Sequence, residues 1–155
     1  MSDTPPNEPS ETPAEAAPVE AAPAVPHGLV QHRNDDGSVC CETPYEHGVK
    51  QGEGRMYYTT GALYAVENYA RDVLNGPTKL YYPTGVLQAE LEYVDGLLQG
   101  TVKEYYADGR LESVSEYRAG EKHGVSTVHD ETGLHVTRET WTEGTLTNTE
   151  RAAAT

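Results

Sequence analysis

Lys79–Gly100 reads KLYYPTGVLQAELEYVDGLLQG, and Lys103–Gly124 reads KEYYADGRLESVSEYRAGEKHG. Laid over one another at a shift of 24 residues, they share a Tyr-Tyr pair, a turn glycine, a leucine, a later tyrosine and a closing glycine. Carried outward, the same shift yields five ladders. Gly28, Gly52, Gly76, Gly100 and Gly124 form the first, and Gly37, Gly61, Gly85, Gly109 and Gly133 the second. Tyr45, Tyr69, Tyr93, Tyr117 and Trp141 form the third. Val39, Leu63, Leu87 and Leu111 form the fourth, broken by His135, and Gly48, Asp72, Gly96, Gly120 and Gly144 the fifth. The unit is G-x8-G-x-L-x5-Y-x2-G-x3, in five copies over residues 28–147. A fixed period of this length marks a repeat array.

Each unit reads as a β-hairpin. Asp36-Gly37 and Asp108-Gly109 are two-residue turn signals of the type I′ kind, with Thr-Gly in the same slot at residues 60, 84 and 132. Turns placed there pair Tyr82 with Leu87, Tyr81 with Gln88, Leu80 with Ala89 and Lys79 with Glu90. Alternation then puts Leu80, Tyr82, Leu87, Ala89, Leu91 and Tyr93 on one face and Lys79, Tyr81, Gln88, Glu90 and Glu92 on the other. A longer turn such as Val94–Gln99 links one hairpin to the next. The expected fold is all-β: an elongated antiparallel β-meander of five 24-residue hairpin repeats, ten strands across roughly 45 Å. The outer units lack the tyrosine pair, carrying Arg33-Asn34 and His129-Asp130 instead. They read as lids that guard the sheet edges.

Residues 1–27 are almost all Pro, Ala, Glu, Ser and Thr and read as a disordered tail. They contain neither the basic start of a secretory signal nor an apolar span, so the cytoplasm is the expected location. Residues 148–155 read as a C-terminal tail. The 25 Asp and Glu against 11 Lys and Arg give a formal charge of −14. Nucleic acid is thereby set aside as a partner, and a bare anionic membrane is disfavoured.

The YYxxGxL…Y-x-x-G-x-x-x-G pattern, with GEKHG at Gly120–Gly124, resembles the MORN-type repeats, in the variant form of YwqK-type antitoxins. The likeness covers residues 28–147 and rests on Gly52, Tyr57, Tyr58, Gly61, Leu63, Tyr69 and their copies. Asp72 for Gly and Trp141 for Tyr depart from it. The resemblance implies a scaffold that binds proteins, or in some settings membranes, and no catalytic residues.

Two groups carry possible chemistry. His32, Cys40, Cys41 and His47 are metal-like in type, with His32 expected opposite Cys41. The spacings of zinc modules are absent, so ordinary packing residues are expected and no metal is assigned. His129, Asp130 and Glu131 alternate faces along a strand and do not converge for acid–base work. No enzyme and no cofactor are expected. The candidate partner-binding residues are Arg55, Lys79 and Lys103, a basic row two residues ahead of Tyr57, Tyr81 and Tyr105. Tyr and Arg are frequent interface anchors. The competing reading is that Lys79 merely pairs with Glu90. A non-enzymatic protein-binding scaffold is the leading functional expectation, with neutralisation of a cognate toxin as its sharpest form. Choline, glycan or phospholipid binding is the alternative.

Overall fold

The computed structural model describes residues 25–153, and the tail expected over residues 1–27 lies almost wholly outside them. The first strands of the five hairpins are β1 (Gly28–Arg33), β4 (Gly52–Tyr57), β7 (Gly76–Tyr81), β10 (Gly100–Tyr105) and β13 (Gly124–His129). The returning strands are β2 (Val39–Glu46), β5 (Leu63–Ala70), β8 (Leu87–Val94), β11 (Leu111–Arg118) and β14 (His135–Thr142). Two-residue strands follow four of these: β3 (Val49–Lys50), β6 (Val73–Leu74), β9 (Leu97–Leu98) and β12 (Glu121–Lys122). β15 (Thr145–Ala153) closes the order. All belong to one sheet, whose path β1-β2-β4-β5-β7-β8-β10-β11-β13-β14-β15 is the expected antiparallel meander.

The turns differ from the expectation. In the third unit the Gly85 N–H donates to the Tyr82 carbonyl at 2.8 Å, and the Tyr82 N–H donates to the Val86 carbonyl at 2.9 Å. Pro83 and Thr84 therefore form a type I turn, with Gly85 following in the left-handed region at φ 85°. The type I′ turns lie at the other end of each unit, in the link expected to be longer. There Asp95 (φ 48°) and Gly96 (φ 81°) join the paired residues Val94 and Leu97. These tips also stack: the N–H groups of Gly96, Gly120 and Gly144 donate to carbonyls of Leu74, Leu98 and Lys122 in the preceding link.

The turn type shifts the register. Gly76–Leu80 pair with Tyr93–Ala89 as expected, but Tyr81 then pairs with Leu87, leaving Gln88 as an extra residue. The expected pairs Tyr82–Leu87 and Tyr81–Gln88 do not form. The same β-bulge falls at Cys40, Tyr64 and Glu112. A bulge leaves two successive residues pointing to one side. Leu87 consequently joins the face of Lys79 and Tyr81, opposite to the expectation, and the bulge residue joins the other face. Tyr64 confirms the direction, meeting Tyr58 edge-on at 5.1 Å. The fifth unit has no bulge: His129 pairs with Val136, and the spare residue lies in the loop.

Cross-strand pairs chain into rows that traverse the sheet. His32, Cys41, Met56, Ala65, Leu80, Ala89, Glu104, Ser113, Val128 and Thr137 form one such row. The residues buried below a tenth of their surface, among them Thr43, Ala65 (0 % exposed), Thr78, Ala89, Val102, Ser113, Ser115 and Ser126, all lie on the face of this row. It is the inner face. No second layer covers it among the described residues, so small side chains have to close the core by packing against one another. Two buried hydroxyls, of Thr78 and Ser115, have no hydrogen-bond partner among the described residues.

The second tyrosine of each pair spans repeats. Tyr58 donates to the carbonyl of Tyr81 (2.8 Å), Tyr82 to that of Tyr105 (2.9 Å) and Tyr106 to that of His129 (2.6 Å). Each side chain reaches over the intervening strand β5, β8 or β11. The outer units have Asn34 and Asp130 at this place, so the set runs only from the second unit to the fifth.

β15 alters the expected ending of the sheet. It runs the length of β14, from Thr142↔Thr145 to His135↔Ala153, through residues read from sequence as tail. The fifth hairpin is therefore flanked on both sides, and the edges are β1 and β15 rather than β1 and the fifth unit. Asn148 stands where the first glycine ladder would continue. The chain passes through it without the bend of Gly124 (φ 81°), so Arg138 pairs with Glu150. Continuation of the β11–β13 register would have paired Arg138 with Arg151.

Candidate docking face

The outer face is organised by the same cross-strand pairing. Gln31, Glu42, Arg55, Val66, Lys79, Glu90, Lys103, Val114, Thr127 and Arg138 form its central row. Toward the type I turns lies a row of Tyr57 with Leu63, Tyr81 with Leu87, and Tyr105 with Leu111. Toward the links lies a polar row that includes Glu53, Glu92 and Glu116. Arg55, Lys79 and Lys103 are exposed, and the three tyrosines are half-buried.

All six sequence candidates thus share one face, in two adjacent rows. They do not make an unbroken basic strip, because Val66 and Glu90 stand between the cations. Arg55 Nη2 lies 2.7 Å from Glu53 Oε1, and Lys79 Nζ lies 3.6 Å from Glu90 Oε1. Lys103 has no carboxylate oxygen within 4.0 Å among the described residues. Both ion pairs are solvent-accessible and contribute little to stability.

The tyrosines differ in what their hydroxyls meet. Tyr57 donates to Glu42 Oε2 at 2.8 Å and Tyr105 to Glu90 Oε2 at 3.2 Å, whereas the Tyr81 hydroxyl has no hydrogen-bond partner among the described residues. Burial, and then the adjacent carboxylate, pushes the Tyr57 and Tyr105 phenols above their ordinary range. Glu42 is held below the usual carboxylate range, first by the Gln31 amide and then by the Tyr57 hydroxyl. Arg55, Leu63, Val66, Pro77, Lys79 and Tyr81 are among the residues around a shallow hollow of about 370 Å³ between the second and third units. A second hollow, of about 300 Å³, reaches from Lys79 to Lys103. Leu63, Leu87 and Leu111 were missed by the sequence reading, which had placed Leu87 on the inner face.

The other candidate groups are dispersed or structural. His47 lies in the first type I′ turn beside His27, with ring centroids 5.1 Å apart, away from the His32 end of the hairpin. Asp130 meets His135 Nδ1 at 2.9 Å and caps its loop through Thr132 Oγ1 and the Leu134 N–H. Among the described residues no three His, Cys, Asp or Glu side chains converge.

A family model described as MORN repeat variant matches residues 74–95 and 98–119. These two stretches are similar to MORN-type repeats. The two matched MORN-type stretches run from the end of the second unit into the fourth, where the glycine, tyrosine and leucine ladders are all complete. MORN repeats are typically modules for contact with proteins or membranes. No curated protein matches the chain.

Proposed function

We propose that this chain is a non-enzymatic scaffold that binds a protein partner through the outer face of its MORN-type repeats. Tyr57, Tyr81 and Tyr105 supply aromatic area, and Arg55, Lys79 and Lys103 supply orienting charge. The supporting observation is the pair of adjacent rows, one of half-buried Tyr and Leu and one of exposed cations, repeated at the spacing of a hairpin. Such a surface offers anchors of the kind that dominate interface energies, with a polar rim along Glu53, Glu92 and Glu116. The acidic balance of the chain complements a basic partner and would speed its encounter. In its sharpest form the partner is a cognate toxin neutralised in the cytoplasm.

The test is capture from the native host by the full chain at moderate salt, with the partner then titrated against variants. Replacing Tyr57, Tyr81 and Tyr105 by Ala should weaken binding about thirtyfold or more, as for hot-spot residues. Changing Arg55, Lys79 and Lys103 to Glu should raise the dissociation rate, because the contacts that those three cations make in the complex are lost. A partner indifferent to both variants overturns the reading, as does recovery on lipid vesicles with no protein partner. Toxin neutralisation is checked by co-expression with the product of the neighbouring reading frame.

A further inference from the structure

We propose that the inner face holds a site for a small zwitterion, a free α-amino acid with an apolar side chain, between Lys50 and Glu67. Both residues border one open cavity of about 240 Å³, together with Tyr45, Tyr69, Cys41 and Met56. Tyr69 engages the two charges without letting them cancel. Its ring carries Lys50 Nζ at 5.0 Å from the centroid, and its hydroxyl donates to Glu67 Oε2. Among the described residues, Lys50 Nζ has no carboxylate oxygen within 4.0 Å, and Glu67 Oε1 accepts no hydrogen bond. A ligand ammonium on Glu67 and a ligand carboxylate on Lys50 would satisfy both groups by charge-assisted hydrogen bonds. A ligand with one charge would cover the other protein charge and leave it unpaired. The cavity is smaller than the roughly 300–1,000 Å³ of sites for drug-sized molecules, which suits a ligand as small as an amino acid. Cys41 and Met56 offer its side chain a polarisable, apolar wall.

A glycine makes the space. Gly54 also borders the cavity, is buried, and pairs with Glu67 across β4 and β5. Every other glycine of the chain has a positive φ; Gly54 does not, so the backbone has no need of it there. A Cβ at Gly54 would stand 3.2 Å from the Tyr69 ring, so a side chain would have to displace that ring. The Lys–aromatic–Glu arrangement recurs three units further on. Lys122 Nζ lies 5.0 Å from the Trp141 ring centroid, and Trp141 Nε1 donates to Glu139 Oε2 at 3.0 Å. Ser126, 2 % exposed, stands there in the place of Gly54. The third and fourth units carry Leu74 with Leu91 and Leu98 with Ser115 in place of the two charges. Both charges and a glycine therefore meet at one place in the array, on the face opposite to the proposed protein-docking rows.

The experiment is titration of the full chain with L-leucine and L-methionine, followed by calorimetry and by heteronuclear NMR. One of them at least should bind, one molecule per chain, with a Kd of about 1 mM or below. Leucinamide, which lacks the carboxylate, and 4-methylpentanoate, which lacks the ammonium, should each bind about tenfold more weakly than leucine. Lys50→Leu, Glu67→Leu and Gly54→Thr each copy the third unit's own residue at that place, so the fold should survive, as far-ultraviolet circular dichroism checks. Lys50→Leu should weaken leucine about tenfold and leave leucinamide unchanged. Glu67→Leu should weaken leucine equally and leave 4-methylpentanoate unchanged, and Gly54→Thr should abolish binding. Four results would overturn the site: no binding of either amino acid at about 10 mM, truncated ligands that bind as well as leucine, wild-type affinity in Lys50→Leu or Glu67→Leu, or undiminished binding in Gly54→Thr. The ligand series needs no variant and decides the question by itself if a variant fails to fold.

Discussion

Tyr82→Phe and Tyr81→Phe remove the same atom from adjacent residues and should have opposite outcomes. The Tyr82 hydroxyl donates to the Tyr105 carbonyl at 2.9 Å, whereas the Tyr81 hydroxyl has no hydrogen-bond partner among the described residues. A part-buried hydrogen bond of this kind contributes about 1 kcal/mol net. The described array has about 130 residues, so its unfolding entropy near the melting point is about 0.27 kcal/mol/K, and 1 kcal/mol corresponds to a drop of about 4 °C. Tyr82→Phe should show that drop, and Tyr81→Phe should stay within about 1 °C of the parent. The three bonds lie in different repeats and share no partner, so their effects should add. Replacing Tyr58, Tyr82 and Tyr106 together should lower the melting temperature by about 11 °C. The assay is thermal unfolding followed by circular dichroism at fixed protein concentration. A triple variant that melts with the parent, or a Tyr81→Phe loss equal to that of Tyr82→Phe, would refute the assignment of inter-repeat cohesion to these hydroxyls.

Ser115→Ala should stabilise the fold by about 1 kcal/mol in urea denaturation, because Ser115 is 1 % exposed, its hydroxyl has no partner among the described residues, and alanine removes that desolvated oxygen. Gly96→Val should destabilise by about 2 kcal/mol or more, since a β-branched residue resists φ 81°. Asp72→Gly should be close to neutral in the same assay: it relieves φ 69° but removes the acceptor that takes the Lys50 N–H at 2.8 Å. Asp130 is held below the usual carboxylate range, first by the Thr132 hydroxyl and further by His135 and the Leu134 N–H. Its contribution is complete above the unfolded value near 4 and fades as pH falls through the depressed folded value. The urea midpoints of the parent and Asp130→Asn should therefore differ most at neutral pH, and the difference should begin to narrow as pH falls below about 4.

The period and the meander were legible because turn glycines and aromatic residues recur at one spacing, and that recurrence needs no three-dimensional knowledge. The turn type was also written in the chain but was misread. Three of the five turn slots carry Thr before Gly, and a β-branched residue resists the positive φ that a type I′ turn requires. Pro83 favours the first central position of a type I turn. The bulge follows from that turn, and with it the transfer of Leu63, Leu87 and Leu111 to the outer face. Arg55, Lys79 and Lys103 were placed correctly relative to Tyr57, Tyr81 and Tyr105, because those residues precede the bulge. Glu90 interrupts the basic row through its pairing with Lys79 inside one hairpin, which the turn position already implied, and Val66 opposite Arg55 follows in the same way. β15 was missed because TNTERAA has little apolar alternation; it is held by backbone pairing with β14.

The one-residue offset at Asn148 sets how such an array can change in length over evolution. Duplication of a module between two interior bends adds another copy in phase with its neighbours. A module fused after residue 153 would meet a strand whose inward and outward positions are interchanged, turning its tyrosines and leucines the wrong way round. Growth by duplication is therefore open in the middle of the sheet and blocked at its final strand.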